Sequence, residues 1–82
     1  NPNLAFVLNN IGTTKSKMKD YTGALADLES AVKLQPNNAT ALLNRGITRE
    51  MLRNVDGACE DWQKAYDLGM EKGKEYYINN CE

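Results

Sequence analysis

Few side chains in this sequence are of types that do chemistry, and their company decides what they can do. Cys59 and Cys81 are the two thiols, and no histidine accompanies them anywhere in the 82 residues. A cysteine nucleophile needs a base to take its proton, and histidine is the commonest one. Ser16 and Ser30 fall in stretches of helical pattern, with no glycine-rich elbow to expose a nucleophile. Glu60-Asp61 pairs two carboxylates, but neighbours on a helix more often face solvent than share acid–base work. No glycine-rich loop is present to cradle a phosphate. Two thiols without histidine also fall short of the four Cys or His ligands that hold structural zinc. These residues argue against an enzyme, a metal centre or a bound cofactor. The cysteines keep two readings, free thiols or a disulfide. A disulfide requires an oxidising compartment and Cα atoms roughly 5.5–6 Å apart.

Charge narrows the partners further. Ten basic and eleven acidic residues are interspersed, for a net charge of −1. Such a surface has no strong field to draw in nucleic acid or anionic lipid. No run of about 18 apolar residues exists to span a membrane as a helix. The chain opens Asn1-Pro2-Asn3 without Met, as a piece of a longer protein would. A targeting segment could therefore be missing, which leaves cytoplasmic and bacterial periplasmic or exported locations open. At this length the core is marginal and needs stacking, a staple or a neighbour.

The elements that must position these residues are written twice. GALADLESAVKLQ (23–35) and GACEDWQKAYDLG (57–69) match at an offset of 34. The same offset pairs Pro2 with Pro36, Ala5 with Ala39, Leu8 with Leu42, Asn10 with Asn44 and Gly12 with Gly46. It also pairs Ala24 with Ala58, Asp27 with Asp61 and Ala31 with Ala65. A repeat of this period means stacked supersecondary units.

Each unit reads as two helices. Leu4, Leu8, Ile11 and Met18 recur at helical spacing, and a break follows at Lys19-Asp20. Asp20 or Thr22 can cap the next helix, whose apolar face is Ala24, Leu25, Leu28, Ala31 and Val32. Gln35-Pro36 ends it, and Asn38 suits an N-cap. The pattern then restarts over about 39–52 and 56–68, separated by a break at Arg53-Asn54. Gly12 and Gly46 sit inside helices, where glycine costs about 1 kcal/mol relative to Ala. Their recurrence predicts close approach of a partner helix, with Ala24 and Ala58 on the other side.

A 34-residue helix pair with small residues at these places resembles the tetratricopeptide repeat. The motif residues are Gly12, Ala24 and Ala31, then Gly46, Ala58 and Ala65, with Pro36 closing the first unit and Tyr21 at the aromatic position that precedes the second helix. The resemblance covers about residues 2–70. Arg45, where Leu is usual, and Lys15 and Arg49, where Tyr is usual, depart from it. The closing stretch Gly57 to Gly69 is similar to the last repeat of bacterial members, Bacteroidetes ones among them.

The resemblance implies an all-α fold, a right-handed superhelical stack of two antiparallel helix pairs and a capping helix. The expected divisions are 1–4 as the tail of a preceding unit, 5–38 and 39–70 as repeats, and 71–82 as the cap. Tyr76, Tyr77 or Ile78 would lie on the second repeat, and Cys59 would face the cap that carries Cys81. Arg45 would meet Asp27 of the unit before, or Asp61, in a hydrogen-bonded pair, unless it snorkels to solvent.

Function would follow from a concave groove lined by the first helix of each repeat. By the register of the resemblance its inward residues are Phe6, Asn9, Asn10, Thr13 and Lys17, then Thr40, Leu43, Asn44, Ile47, Glu50 and Met51. Asn10 and Asn44 share a repeat position, and their amides could hold a peptide backbone. Leu43, Ile47 and Met51 form an apolar stripe that the cap could instead cover, Ile47 more readily than Met51. Members that bind acidic tails use lysines that Asn9 and Thr13 do not supply, which argues against that use. The expectation is a non-catalytic scaffold that binds a peptide or partner helix. The alternative is an architectural or self-associating segment of a longer array, with no ligand of its own.

Overall fold

Side-chain caps and left-handed turns cut the chain into five helices. The computed structural model describes residues 3–81: α1 (Leu4–Lys17), α2 (Tyr21–Leu34), α3 (Ala39–Met51), α4 (Val55–Asp67) and α5 (Glu71–Cys81). Pro2, expected to close a preceding unit, and Glu82 lie outside the described residues. Asp20, Asn38 and Asn54 cap α2, α3 and α4 by accepting from the backbone N–H of Gly23, Ala41 and Gly57 at 3.0–3.1 Å. Such caps satisfy donors that the first helical turn leaves open. Asp20, not Thr22, is the cap of α2.

The helix ends are equally specific. After α4, Gly69 takes φ +102°, and Met70 N–H returns to the Ala65 carbonyl at 3.0 Å. That closure is the Schellman type, which favours glycine because left-handed backbone crowds a Cβ. The same closure ends α1 and α3, where Lys19 (φ 68°) and Arg53 (φ 67°) take the left-handed position. Asp20 N–H bonds to the Lys15 carbonyl and Asn54 N–H to the Arg49 carbonyl, each at 2.8 Å.

The helices stack in chain order. α1 pairs with α2 and α3 with α4, α2 joins the pairs by packing on α3, and α1 also reaches α3. Ala31, Val32, Ala41, Leu42 and Ala65 form the core between the pairs. The close approach expected at Gly12 and Gly46 is present: Ala24 lies against Gly12 as expected, but the tightest neighbour of each glycine is a larger side chain. A Cβ on Gly12 would lie 2.8 Å from Leu28 Cγ, with the Ala24 carbonyl farther off at 3.2 Å. A Cβ on Gly46 would lie 2.5 Å from Trp62 Nε1, and Ala58 is not among its nearest neighbours. Leu28 and Trp62 are themselves repeat partners, so the glycines make room for the large side chain of the second helix.

The helix α5 caps the stack on α4. Gly73, which follows Ala39 by the same 34 residues, admits it: a Cβ there would be 2.6 Å from the Trp62 carbonyl. Tyr76 stacks on Trp62 with ring centroids 5.2 Å apart, and Tyr77 packs on the same cluster. Ile78 stays exposed. Cys59 and Cys81 are joined by a disulfide, with Cα atoms 6.0 Å apart, which ties the end of α5 to α4. No helix among the described residues is long and apolar enough to cross a membrane.

Candidate functional site: a cleft between the first helices

Where α1 and α3 come together above α2, a half-open cleft of about 290 Å³ remains. Leu28 and Tyr21 of α2, with Ile47 and Met51 of α3, give it apolar walls. Thr13, Ser16, Asn44 and Thr48 contribute polar atoms, and Lys17 is the one charged residue in the lining. Met51 is half exposed, at 50%, and Ile47 is partly buried beneath it.

The polar wall is held by a network joining the two first helices. Asn44 Nδ2 donates to Asn9 Oδ1 at 3.0 Å and to Thr13 Oγ1 at 3.2 Å. Thr13 Oγ1 in turn donates to the Asn9 carbonyl at 2.8 Å, and Thr48 Oγ1 to the Asn44 carbonyl at 3.0 Å. Both amide protons of Asn44 are thus spent between repeats, while its Oδ1 makes no hydrogen bond among the described residues. Asn10, its repeat partner, is exposed and outside the cleft. The two amides expected to grip a backbone together do not line one surface.

Of the expected groove residues, the structure gathers Thr13, Lys17, Asn44, Ile47 and Met51 around the cleft. Asn9 is buried behind Asn44, and Glu50 and Phe6 lie outside the lining. Leu43 belongs to the core, packed with Ala58 and Trp62 in the cluster that α5 covers. Ile47 touches that cluster as well, whereas Met51 does not. Ser16, Tyr21, Leu28 and Thr48 line the cleft without having been expected there. Leu28 and Tyr21 come from the second helix, which a register confined to first helices leaves out.

Beside the cleft, charges bind the helices of each pair. Arg45 forms two hydrogen bonds to Asp61, at 3.0 Å through Nε and 2.7 Å through Nη2. Arg49 reaches the same carboxylate at 3.2 Å, and Asp61 is only 3% exposed. The hydrogen bond to Asp61 raises the Arg45 pKa against the opposing effect of burial. Asp27 is not the partner of Arg45. It pairs instead with Lys15 at 2.8 Å, and its hydrogen bond and charge raise the Lys15 pKa. Lys15 and Asp27 stand 34 residues before Arg49 and Asp61, so both units carry one cross-helix ion pair. Arg45 adds a second cation only in the later unit, where Ile11 stands in the earlier one.

No curated protein matches the chain. A family profile described as TPR repeat matches residues 12–52, half of the sequence, running from Gly12 through α2 to the end of α3. With that match, the helix pairs repeated at 34 residues and the capped stack, the chain belongs to the tetratricopeptide repeat family.

Proposed function

We propose that this chain is a protein-binding scaffold whose cleft between α1 and α3 receives a peptide segment or partner helix. Repeats of this family generally mediate protein–protein interaction and are non-catalytic. The observation that carries the reading is the cleft itself, with exposed Met51, partly buried Ile47 and Asn44 lining one surface. Apolar walls with a few fixed polar groups are what recognition sites offer, and methionine adapts to varied partners. Random peptides displayed on phage and selected against the protein test this. Selected peptides are expected to bind the monomer saturably and to lose binding with Met51→Arg. Absence of saturable peptides, or binding indifferent to Met51→Arg, contradicts the reading.

A second reading has its own observation. Val7 is 44% exposed, while Ala41, the same repeat position on α3, is fully buried against α2. Leu4 and Ile11 extend that open face of α1, and Met18 just past its end is exposed as well. This supports an architectural role, in which the face is covered by another unit or a second copy. Sedimentation of the protein and of Ile11→Lys tests it: a dimer abolished by the substitution favours association through α1, and a monomer at high concentration removes self-association.

A further inference from the structure

We infer that Asn38 is an acceptor site for an N-linked glycan, attached when the chain is made in an oxidising compartment. Asn38-Ala39-Thr40 has the acceptor pattern, an asparagine two residues before a hydroxyl with no proline between. No other asparagine of the chain stands two residues before Ser or Thr. The earlier unit has Leu4 and Phe6 at the matching places, so the pattern does not come from the repeat. A second observation comes from the capped end of the stack. The Cys59–Cys81 disulfide forms and persists in oxidising compartments such as those of secreted proteins, where this modification is also made.

The fold leaves the acceptor nitrogen usable. Residues 35–38 form a turn with Pro36 at its second place, and the Asn38 N–H returns to the Gln35 carbonyl at 3.0 Å. Gln35, Pro36, Asn37 and Thr40 are all exposed around it. Asn38 itself divides its amide between two duties. Oδ1 caps α3 by accepting from the Ala41 N–H at 3.1 Å. Nδ2 donates one proton to Gln35 Oε1 at 3.1 Å, and its second proton has no acceptor among the described residues. A glycosylated asparagine keeps its carbonyl and one N–H, so neither bond has to be given up. In the transfer, Nδ2 attacks the anomeric carbon of a lipid-linked oligosaccharide. A C–N bond forms, the C–O bond to phosphate breaks, the lipid pyrophosphate leaves, and the second Nδ2 proton passes to solvent.

Placement also keeps the glycan off the cleft. Asn38 precedes α3 and Met51 ends it, and helical rise puts about 20 Å between them. Neither Asn38 nor Thr40 lines the cleft. The glycan instead occupies the edge where α2 turns into α3, and holds that edge in solvent.

The test secretes the chain from cultured eukaryotic cells behind a signal peptide. Its mass is read before and after an amidase that removes N-glycans, on secreted and cell-retained protein alike. Disulfide-bonded wild-type protein is expected to lose one glycan to the amidase, with position 38 converted from Asn to Asp. Because Asn38 is also the helix cap, the variants must separate its two roles. Thr40→Ala leaves the cap untouched and should abolish the glycan, whereas Thr40→Ser should keep it. Asn38→Asp, a comparable cap, should abolish the glycan and still form the disulfide. Glycosylated and amidase-treated protein should melt alike, since the capping oxygen serves in both. Disulfide-bonded wild-type protein without a glycan overturns the inference, as does a glycan that survives Thr40→Ala. A glycan confined to protein with free thiols also overturns it, because the folded turn would then exclude the sugar.

Discussion

At the scale of residues, the second unit holds the interactions with the largest consequences. Asp61 accepts from Arg45 and Arg49 while nearly buried, so deleting it leaves two partly buried guanidinium groups without their carboxylate. Breaking such a cluster from one side costs more than the cluster's net worth, because desolvation is no longer compensated. Asp61→Ala is expected to lower unfolding stability by about 2–4 kcal/mol in urea titration. Arg45→Leu should cost clearly less, since Arg49 remains on Asp61; equal losses would show that Arg49 does not hold the carboxylate. Gly46 answers to a different force. An added methyl would meet the rigid Trp62 indole, and overpacking of about 1–3 kcal/mol exceeds the roughly 1 kcal/mol gained in helix propensity. Gly46→Ala should therefore destabilise, and by more than Gly12→Ala, where the added methyl meets Leu28 at 2.8 Å instead of an indole ring at 2.5 Å. A melting temperature that rises for Gly46→Ala would contradict this packing.

At the scale of elements, caps and turns set the helices and were largely legible. Asn38 before an apolar run, Pro36 after Leu34 and Gly69 after Leu68 each carry a local mechanism that needs no tertiary knowledge. What stayed hidden was direction across the stack. Asp27 and Asp61 share a repeat position, so spacing alone left Arg45 both partners, and only the packing of α3 on α4 selects Asp61. Likewise Asn10 and Asn44 share a repeat position, yet Asn44 spends its amino group on Asn9 and Thr13 while Asn10 lies outside the cleft lining, a difference that only the packing of α3 on α1 reveals. The helix ends offer a direct test. Arg53 sits in left-handed backbone that costs a non-glycine residue about 1–2 kcal/mol, partly offset by the greater freedom of glycine when unfolded. Arg53→Gly is expected to raise stability by about 0.5–1 kcal/mol; a loss would assign the Arg53 side chain a role that its exposed position does not suggest. The cap has its own measure. The disulfide closes a loop of sequence separation 22, worth about 3 kcal/mol through restriction of the unfolded chain. Reduction should lower the denaturation midpoint accordingly. It should leave helical content at native conditions almost unchanged, because Gly73 and the Trp62–Tyr76 stack still seat α5 on α4. Loss of the α5 helical signal on reduction would show that the disulfide alone holds the cap.

At the scale of the whole molecule, the two ends of the stack are treated differently. α5 closes one end over Trp62 and Leu43, while α1 leaves Leu4, Val7 and Ile11 open at the other. Between them lies the cleft, whose position follows from the fold: first helices side by side, with the second helix of the earlier unit as floor. The sequence made the first-helix residues readable through their repeat register. The floor was not readable, because Leu28 and Tyr21 looked like interior and helix-start residues of α2. The central claim is that this cleft receives a peptide. Titration of a selected peptide into the isotopically labelled protein, followed by backbone amide shifts, tests it most directly. The account predicts saturable shifts concentrated at Thr13, Lys17, Asn44, Ile47 and Met51. Shifts concentrated instead at Leu4, Val7 and Ile11, or along the outer face of α4, would contradict it.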